Sequence, residues 1–186
     1  MIRQAILLLG MLLLASCGEE IGTGGRYSSL PARFTCNSVS SMPATLQTAL
    51  NSPGMWCTVR VLNDGRYEFA LPTSRVPEYW NMTGSITDKA YVWVAGLIVG
   101  LPNTPEPGAD AAIVTCYDLV CPYCYNIPVD RELAITDRGM AYCESCQNEY
   151  DPNNQGMLVH GEGRGTRLFR YRVSYLRLSN TLVVGN

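Results

Sequence analysis

The sequence is short of histidine: there is one, His160, in 186 residues. That weakens any mechanism that needs two imidazoles. It has no excess of charge of either sign, with 14 basic residues against 16 acidic ones. No basic surplus points to nucleic acid, and no charge block points to a disordered tail. Long helical periodicities are missing while glycine, proline and tyrosine are plentiful, which favours a β-rich domain with many turns. No nucleophile–base pair and no phosphate loop stands out, so the chain does not read as an enzyme. There is no internal repeat and no second domain boundary, and the length suits one ordinary domain.

No apolar run reaches the length of a membrane span. The longest at the N-terminus, Ala5 to Ala15 (AILLLGMLLLA), follows the positive start Met1-Ile2-Arg3 and reads as a secretory signal. It ends in Leu14-Ala15-Ser16-Cys17, which resembles the lipobox of bacterial lipoproteins. The resemblance implies a signal peptide over residues 1–16, cleavage before Cys17, and lipidation of Cys17 as a membrane anchor. Several acyl chains hold stably, since each buried methylene adds about 0.8 kcal/mol. The alternative is an N-terminal membrane helix with an incidental cysteine. Gly18 is not the aspartate that retains many lipoproteins in the inner membrane, so the implied place is the outer membrane, facing the periplasm or the cell surface. Glu19-Glu20 looks like the acidic export tag of some surface-exposed Bacteroidetes lipoproteins. Residues 17–33 then read as a glycine-rich tether, and residues 34–186 as the domain.

Within the domain, Ala44 to Leu50 reads as a short helix, capped by Ser41 or a neighbour, with Pro43 in its first turn and Asn51-Ser52-Pro53-Gly54 as its stop. Met55 to Val61 and Tyr67 to Leu71 alternate about Asn63-Asp64-Gly65 and predict a hairpin. Tyr91 to Val99 (YVWVAGLIV) predicts a strand buried on both faces. Leu101 to Gly108 is a loop and Ala111 to Tyr117 a strand. Leu133-Ala134-Ile135 and Met140-Ala141-Tyr142 flank Thr136-Asp137-Arg138-Gly139 as a second hairpin. Phe169, Tyr171, Val173 and Tyr175 form an apolar strand face, with Arg170 and Arg172 on the solvated side. Thr181 to Val184 is the last strand.

Chemistry concentrates in the eight cysteines. Cys121-Pro122-Tyr123-Cys124 and Cys143-Glu144-Ser145-Cys146 are two Cys-x-x-Cys pairs separated by 18 residues, a spacing that matches a metal-site template. A two-residue gap lets each turn point amides at its sulfurs while both thiolates reach one ion, and two such turns complete a tetrahedral site. Exported cysteines also form disulfides, so a pair of bridges, within or across the loops, stands beside the metal reading. Cys36 and Cys57 either form a disulfide, closing a loop of about 20 residues for about 3 kcal/mol, or are two buried thiols. Cys116 reads as a small core residue.

The second half, roughly Ala90 to Val184, resembles the Rieske iron–sulfur domain. Cys116 to Pro122 looks like the strand and aspartate leading into the first ligand, with Cys121 in the first cysteine's place. Cys143 to Asp151 looks like the second ligand loop and the strand after it. Gly156 to Gly161 matches the covering loop, and Arg170 to Val173 the closing strand. The resemblance implies an all-β fold of stacked antiparallel sheets carrying two cysteine loops, with one short N-terminal helix, and an electron-transferring [2Fe–2S] cluster. The ligands depart from the family: both histidine positions are lost, Tyr123 stands at the first, and Cys146 stands at the second. A register using Cys116 and Asp118 makes the gap between loops too long. Without imidazoles an all-cysteine [2Fe–2S] centre would sit near about −400 mV, and no mononuclear iron site of an oxygenase can form. A Cys-x-x-Cys turn tends to bite one metal, which favours a single tetrahedral ion, usually zinc. The signal holds one arginine, Arg3, so it resembles the export route for unfolded chains, and zinc can bind after export because binding couples to folding. The cofactor is thus a [2Fe–2S] cluster or Zn2+ on Cys121, Cys124, Cys143 and Cys146, with a redox or envelope protein as partner. The remaining polar candidates have plainer roles. His160 is a loop residue, Arg164, Arg167, Arg170 and Arg172 mark a solvated face, and Tyr123, Tyr125, Tyr142 and Tyr150 pack around the loops.

Overall fold

The computed structural model describes residues 26–74, 76–81, 93–128, 131–163 and 166–186. The expected signal peptide, Cys17, the first part of the tether, Tyr91, Val92 and Arg164 lie outside them. In chain order the elements are β1 (Arg33–Cys36), α1 (Ala44–Asn51), β2 (Met55–Val61), β3 (Arg66–Ala70), β4 (Glu78–Asn81), β5 (Leu97–Leu101) and β6 (Thr115–Asp118). They continue as β7 (Leu133–Ile135), β8 (Ala141–Cys143), β9 (Glu149–Asp151), β10 (Met157–His160), β11 (Arg170–Leu176) and β12 (Thr181–Gly185). The fold is mostly β, as the composition predicts. Eight strands make a large sheet in the order β1-β12-β11-β6-β5-β2-β3-β4, and the other four make a small one in the order β10-β9-β8-β7. Every strand pairing is antiparallel, and both predicted hairpins are present.

Alternation along the central strands builds two cores at once. Side chains of a strand point to opposite faces in turn. On β2, Trp56 faces one core and Cys57 and Val59 the other; on β5, Ile98 opposes Leu97 and Val99; on β6, Tyr117 opposes Cys116. One core gathers these residues with Leu46, Ala49 and Leu50 of α1, and with Phe34, Tyr67 and Phe69. The other gathers Trp56, Ile98 and Tyr117 with Leu133, Ala141, Cys143 and Tyr150 of the small sheet. The centre of the large sheet is therefore covered on both faces, which is why β5 is buried along its whole length.

Several boundaries differ from those read in the sequence. The strand expected over Tyr91–Val99 begins only at Leu97 and runs to Leu101, taking in the first residue of the expected loop. Its pairing starts at Leu97, opposite Val59 and Asp118, and the residue before it is a glycine at a close approach, where a Cβ would lie 2.7 Å from the Val59 carbonyl oxygen. The strand expected over Ala111–Tyr117 is shorter, Thr115–Asp118, because only these residues pair with β5. Arg170 does not face solvent. It is buried, ion-paired with Glu106 and set with its guanidinium 5.6 Å from the Tyr27 ring centre, while Arg172 on the same side is exposed. The segment doing the covering belongs to the stretch assigned to the tether. The Ser28 amide donates to the Arg170 carbonyl at 2.8 Å, and Leu30 and Ala32 are buried. Among the described residues no helix is long and apolar enough to cross a membrane.

The helix cap also comes from elsewhere. Ser41 lies in a separate short turn, Val39–Ser41, and Pro43 stands at the N-terminus of α1 with no side chain to cap it. The carboxylate of Glu78 on β4 accepts instead, from the Thr45 amide at 2.7 Å and from the Thr45 hydroxyl. These bonds hold the Glu78 carboxyl below the usual glutamate range. A lowered folded pKa stabilises the fold above the unfolded value, about 4.3, and that contribution is lost as pH falls through the folded value. Glu78→Ala is expected to lower stability by about 1 kcal/mol at neutral pH and to flatten the acid limb of a stability–pH curve. An acid limb identical in both proteins would sink this.

Candidate metal centre

The first cysteine loop leaves β6 and is fixed before it reaches Cys121. Asp118 is buried at the end of β6, and its carboxylate takes four donors: the amides of Val94 at 2.8 Å, Ala95 at 3.2 Å and Val120 at 2.7 Å, and the Tyr171 hydroxyl at 2.7 Å. Burial pushes the Asp118 carboxyl up, against the pull of those donors. The second loop leaves β8 at Cys143 and turns tightly. The Gln147 amide donates back to the Cys143 carbonyl at 2.8 Å, Gln147 takes a φ of +62°, and the Cys143 amide donates to the Asn148 carbonyl at 3.0 Å. Strand β7 ties the two loops together. The Cys121 amide donates to the Arg131 carbonyl at 2.6 Å just before β7, the Leu133 amide donates to the Leu119 carbonyl at 2.8 Å, and Leu133 pairs in register with Cys143.

The result brings all four predicted ligands together. The sulfurs of Cys121, Cys124, Cys143 and Cys146 lie within 4.8 Å of one another. Across the loops, Cys121 and Cys146 are 3.6 Å apart and Cys124 and Cys143 are 3.9 Å apart. Four thiolates at about 2.3 Å around one tetrahedral ion have edges of about 3.8 Å. The cluster is therefore compatible with a bound metal ion. Cys121, Cys124 and Cys143 are buried, and Cys146 is partly exposed.

Each turn also points amides at its first sulfur, as the Cys-x-x-Cys spacing predicts. The Cys124 amide bonds to Cys121, and the amides of Cys146 and Ser145 bond to Cys143. Burial pushes the Cys121 thiol up to about 11 and raises Cys124 as well. At Cys143 burial also acts upward, but the Cys146 and Ser145 amides and the neighbouring thiols outweigh it, so that thiol falls below its ordinary value. The protein thus favours a thiolate at Cys143 and disfavours ionising Cys121 and Cys124, unless a cation offsets the charge.

A third loop closes over the two. Glu162 donates its amide to Asn148 Oδ1 at 2.9 Å and accepts at its carbonyl from Asn148 Nδ2 at 2.8 Å. The Tyr123 hydroxyl donates to the Glu162 carboxylate at 3.2 Å. Asn148 is fully buried. Sequence reasoning missed it because a single asparagine carries no signal of which backbone it will meet 14 residues later. Tyr125 packs edge-on against Phe169 with ring centres 5.4 Å apart, and Tyr150 is fully buried. His160 is exposed at the end of β10 and takes no part in the cluster. Cys36, Cys57 and Cys116 belong to the other core and are buried free thiols, each raised by burial.

Close approach of the third loop depends on Gly161. Its φ is +114°, and a Cβ there would lie 2.1 Å from Asn148 Oδ1. Gly65 makes a control, with a φ of +83° and open space around it. Gly65→Ala is expected to cost about 1–2 kcal/mol from the backbone alone. Gly161→Ala is expected to cost that and about 2–3 kcal/mol more, for the polar groups Asn148 leaves unpaired. Equal costs in denaturant melts of the two variants would contradict the dependence of the third loop's close approach on Gly161.

No protein-family model matches the chain, and no curated protein matches it in sequence.

Proposed function

We propose that this is an exported, lipid-anchored protein whose domain is a non-redox binding module built around one zinc ion on Cys121, Cys124, Cys143 and Cys146. The observation that carries this reading is the spacing of the sulfurs, 3.6 and 3.9 Å across the loops and 4.8 Å at most. A two-iron cluster places a second metal and two sulfides between its thiolate pairs, and so needs them further apart than one ion does. Four thiolates leave no open coordination position, which suits a structural rather than a hydrolytic site. Bound there, the ion neutralises the thiolates and joins the two loops, adding its binding energy to folding. The ordered surface beside it, from Tyr123 to Glu162, is then available to an envelope or extracellular partner.

A second reading, electron transfer through an all-cysteine [2Fe–2S] centre, draws on a different observation. Both cysteine loops stand at one end of the small sheet under a third loop, which is the arrangement that the Rieske resemblance implies. Purification of the full chain under anaerobic conditions, with metal analysis and a visible spectrum, separates the two. One zinc per chain and no colour is the expected result. Iron with acid-labile sulfide would overturn the zinc reading in favour of the cluster, and one iron without sulfide would overturn the non-redox reading. No metal, with only Cys36, Cys57 and Cys116 titrating as thiols in the unfolded chain, would overturn both and leave disulfides.

The anchor rests on the sequence Leu14-Ala15-Ser16-Cys17. In a bacterial host, Cys17→Ser is expected to abolish incorporation of labelled fatty acid and to move the protein out of the outer-membrane fraction. Retention of both label and membrane association would refute the anchor.

A further inference from the structure

We propose that the open seam between β11 and the chain just before β6 is a docking site for an extended peptide of a partner protein. The peptide adds a strand to β11, sets an apolar side chain between the two walls of the seam and lays a carboxylate side chain against Arg177. None of the residues involved belongs to the metal centre.

The ladder between β11 and β6 stops early. On the β12 side, β11 is paired from Arg172 to its last residue, Leu176. On the β6 side it is paired only at Arg170 and Tyr171. The phase of the ladder identifies the backbone groups that are left over, because successive residues of a strand turn theirs to opposite sides. The Asp118 amide donates to the Phe169 carbonyl at 2.8 Å, so Phe169, Tyr171, Val173 and Tyr175 turn toward β6. The Ser28 amide donates to the Arg170 carbonyl at 2.8 Å, so Arg170, Arg172, Ser174 and Leu176 turn the other way. Val173 and Tyr175 therefore hold their amides and carbonyls toward the seam, and among the described residues nothing bonds to them there. The facing segment is drawn off by a local bond. The Thr115 hydroxyl donates to the Ile113 carbonyl at 3.1 Å, and bonds of this kind compete with a ladder. The walls part around a cavity of about 290 Å³, lined by Val114, Val173 and Tyr175, with Leu101, Ile113 and Arg177.

The seam selects its occupant in three ways. Free amides and carbonyls on alternate residues of a strand are met in full only by another extended backbone, and open strand edges take up added strands for that reason. A lipid tail would fill the cavity but leave those groups unmet. The cavity is small beside ligand pockets, which start at about 300 Å³, so it takes a side chain rather than a folded surface. Its lining is mostly apolar, and Ile113 is 54% exposed there. Arg177 supplies the charge. It is exposed, its guanidinium lies 5.8 Å from the Tyr175 ring centre, and it makes no ion pair among the described residues. A carboxylate on the peptide complements it and fixes the register of the added strand.

The test reads amide hydrogen exchange residue by residue on the isotope-labelled full chain. In the free chain the amides of Val173 and Tyr175 are expected to exchange about tenfold faster than those of Ser174 and Leu176, the equivalent of one hydrogen bond. The probes are peptides selected on the chain from a displayed library of short random sequences. They are expected to alternate apolar residues, to carry Asp or Glu, and to slow exchange at Val173 and Tyr175 when bound. Proline at the centre of a selected peptide removes a donor and is expected to abolish that protection. Arg177→Glu is expected to weaken binding about fivefold. Slow exchange at Val173 and Tyr175 in the free monomer would show the seam closed and overturn the proposal. Slow exchange that appears only where the chain dimerises would overturn it in favour of a second copy. A library that yields no binder, or binders that leave both amides unprotected, would overturn it as well. None of these outcomes bears on what the four cysteines hold.

Discussion

Four sulfur atoms held within 4.8 Å of one another cannot all carry charge without a cation between them. Much of the second half of the chain is arranged around that constraint. Amides are aimed at Cys121 and Cys143, where they favour thiolate, while burial of Cys121 and Cys124 resists it. Hydrogen bonds before and within β7 hold the first loop to the second, so the polypeptide itself makes the loops converge. The polypeptide supplies the geometry, and a cation bound between the sulfurs would supply the charge that makes four thiolates favourable there.

The scaffold achieves this by using the large sheet twice. Its centre carries one core on the α1 face and another on the face of the small sheet. Trp56, Ile98 and Tyr117 share one buried core with Cys121, Cys124 and Cys143. That core excludes water from three of the four thiols, and low polarity around a site strengthens every charge interaction inside it. Cys146 is the one of the four that is partly exposed.

What the sequence revealed followed from periodicity and spacing, both local signals. Alternation over Met55–Val61 and Tyr67–Leu71 marked the first hairpin, the Thr136–Gly139 turn marked the second, and two Cys-x-x-Cys turns were enough to name the cluster. The misplacements arose where a distant partner decided the outcome. Arg170 alternates with apolar neighbours as a surface residue would, but Glu106 and Tyr27 cover it. Ser41 is a good cap by type, yet the cap of α1 is Glu78, 33 residues from Thr45. The tether was read from glycine content, which says nothing of the bond from Ser28 to Arg170. Asn148 shows the same limit at the site itself, since its partner Glu162 lies in a loop that no local pattern connects to it.

The pairing of β1 with β12 has a consequence for the order of events in folding. Arg33–Cys36 is hydrogen-bonded in register to Leu182–Gly185, so the first strand of the domain is completed by its last. A contact of such sequence separation closes a very long loop, and topologies dominated by pairings of this kind fold slowly. A chain emerging N-terminus first carries β1 as an unpaired edge until more than a hundred further residues have appeared. Completion of the large sheet is therefore an event of the whole chain, which waits for the last strand to arrive.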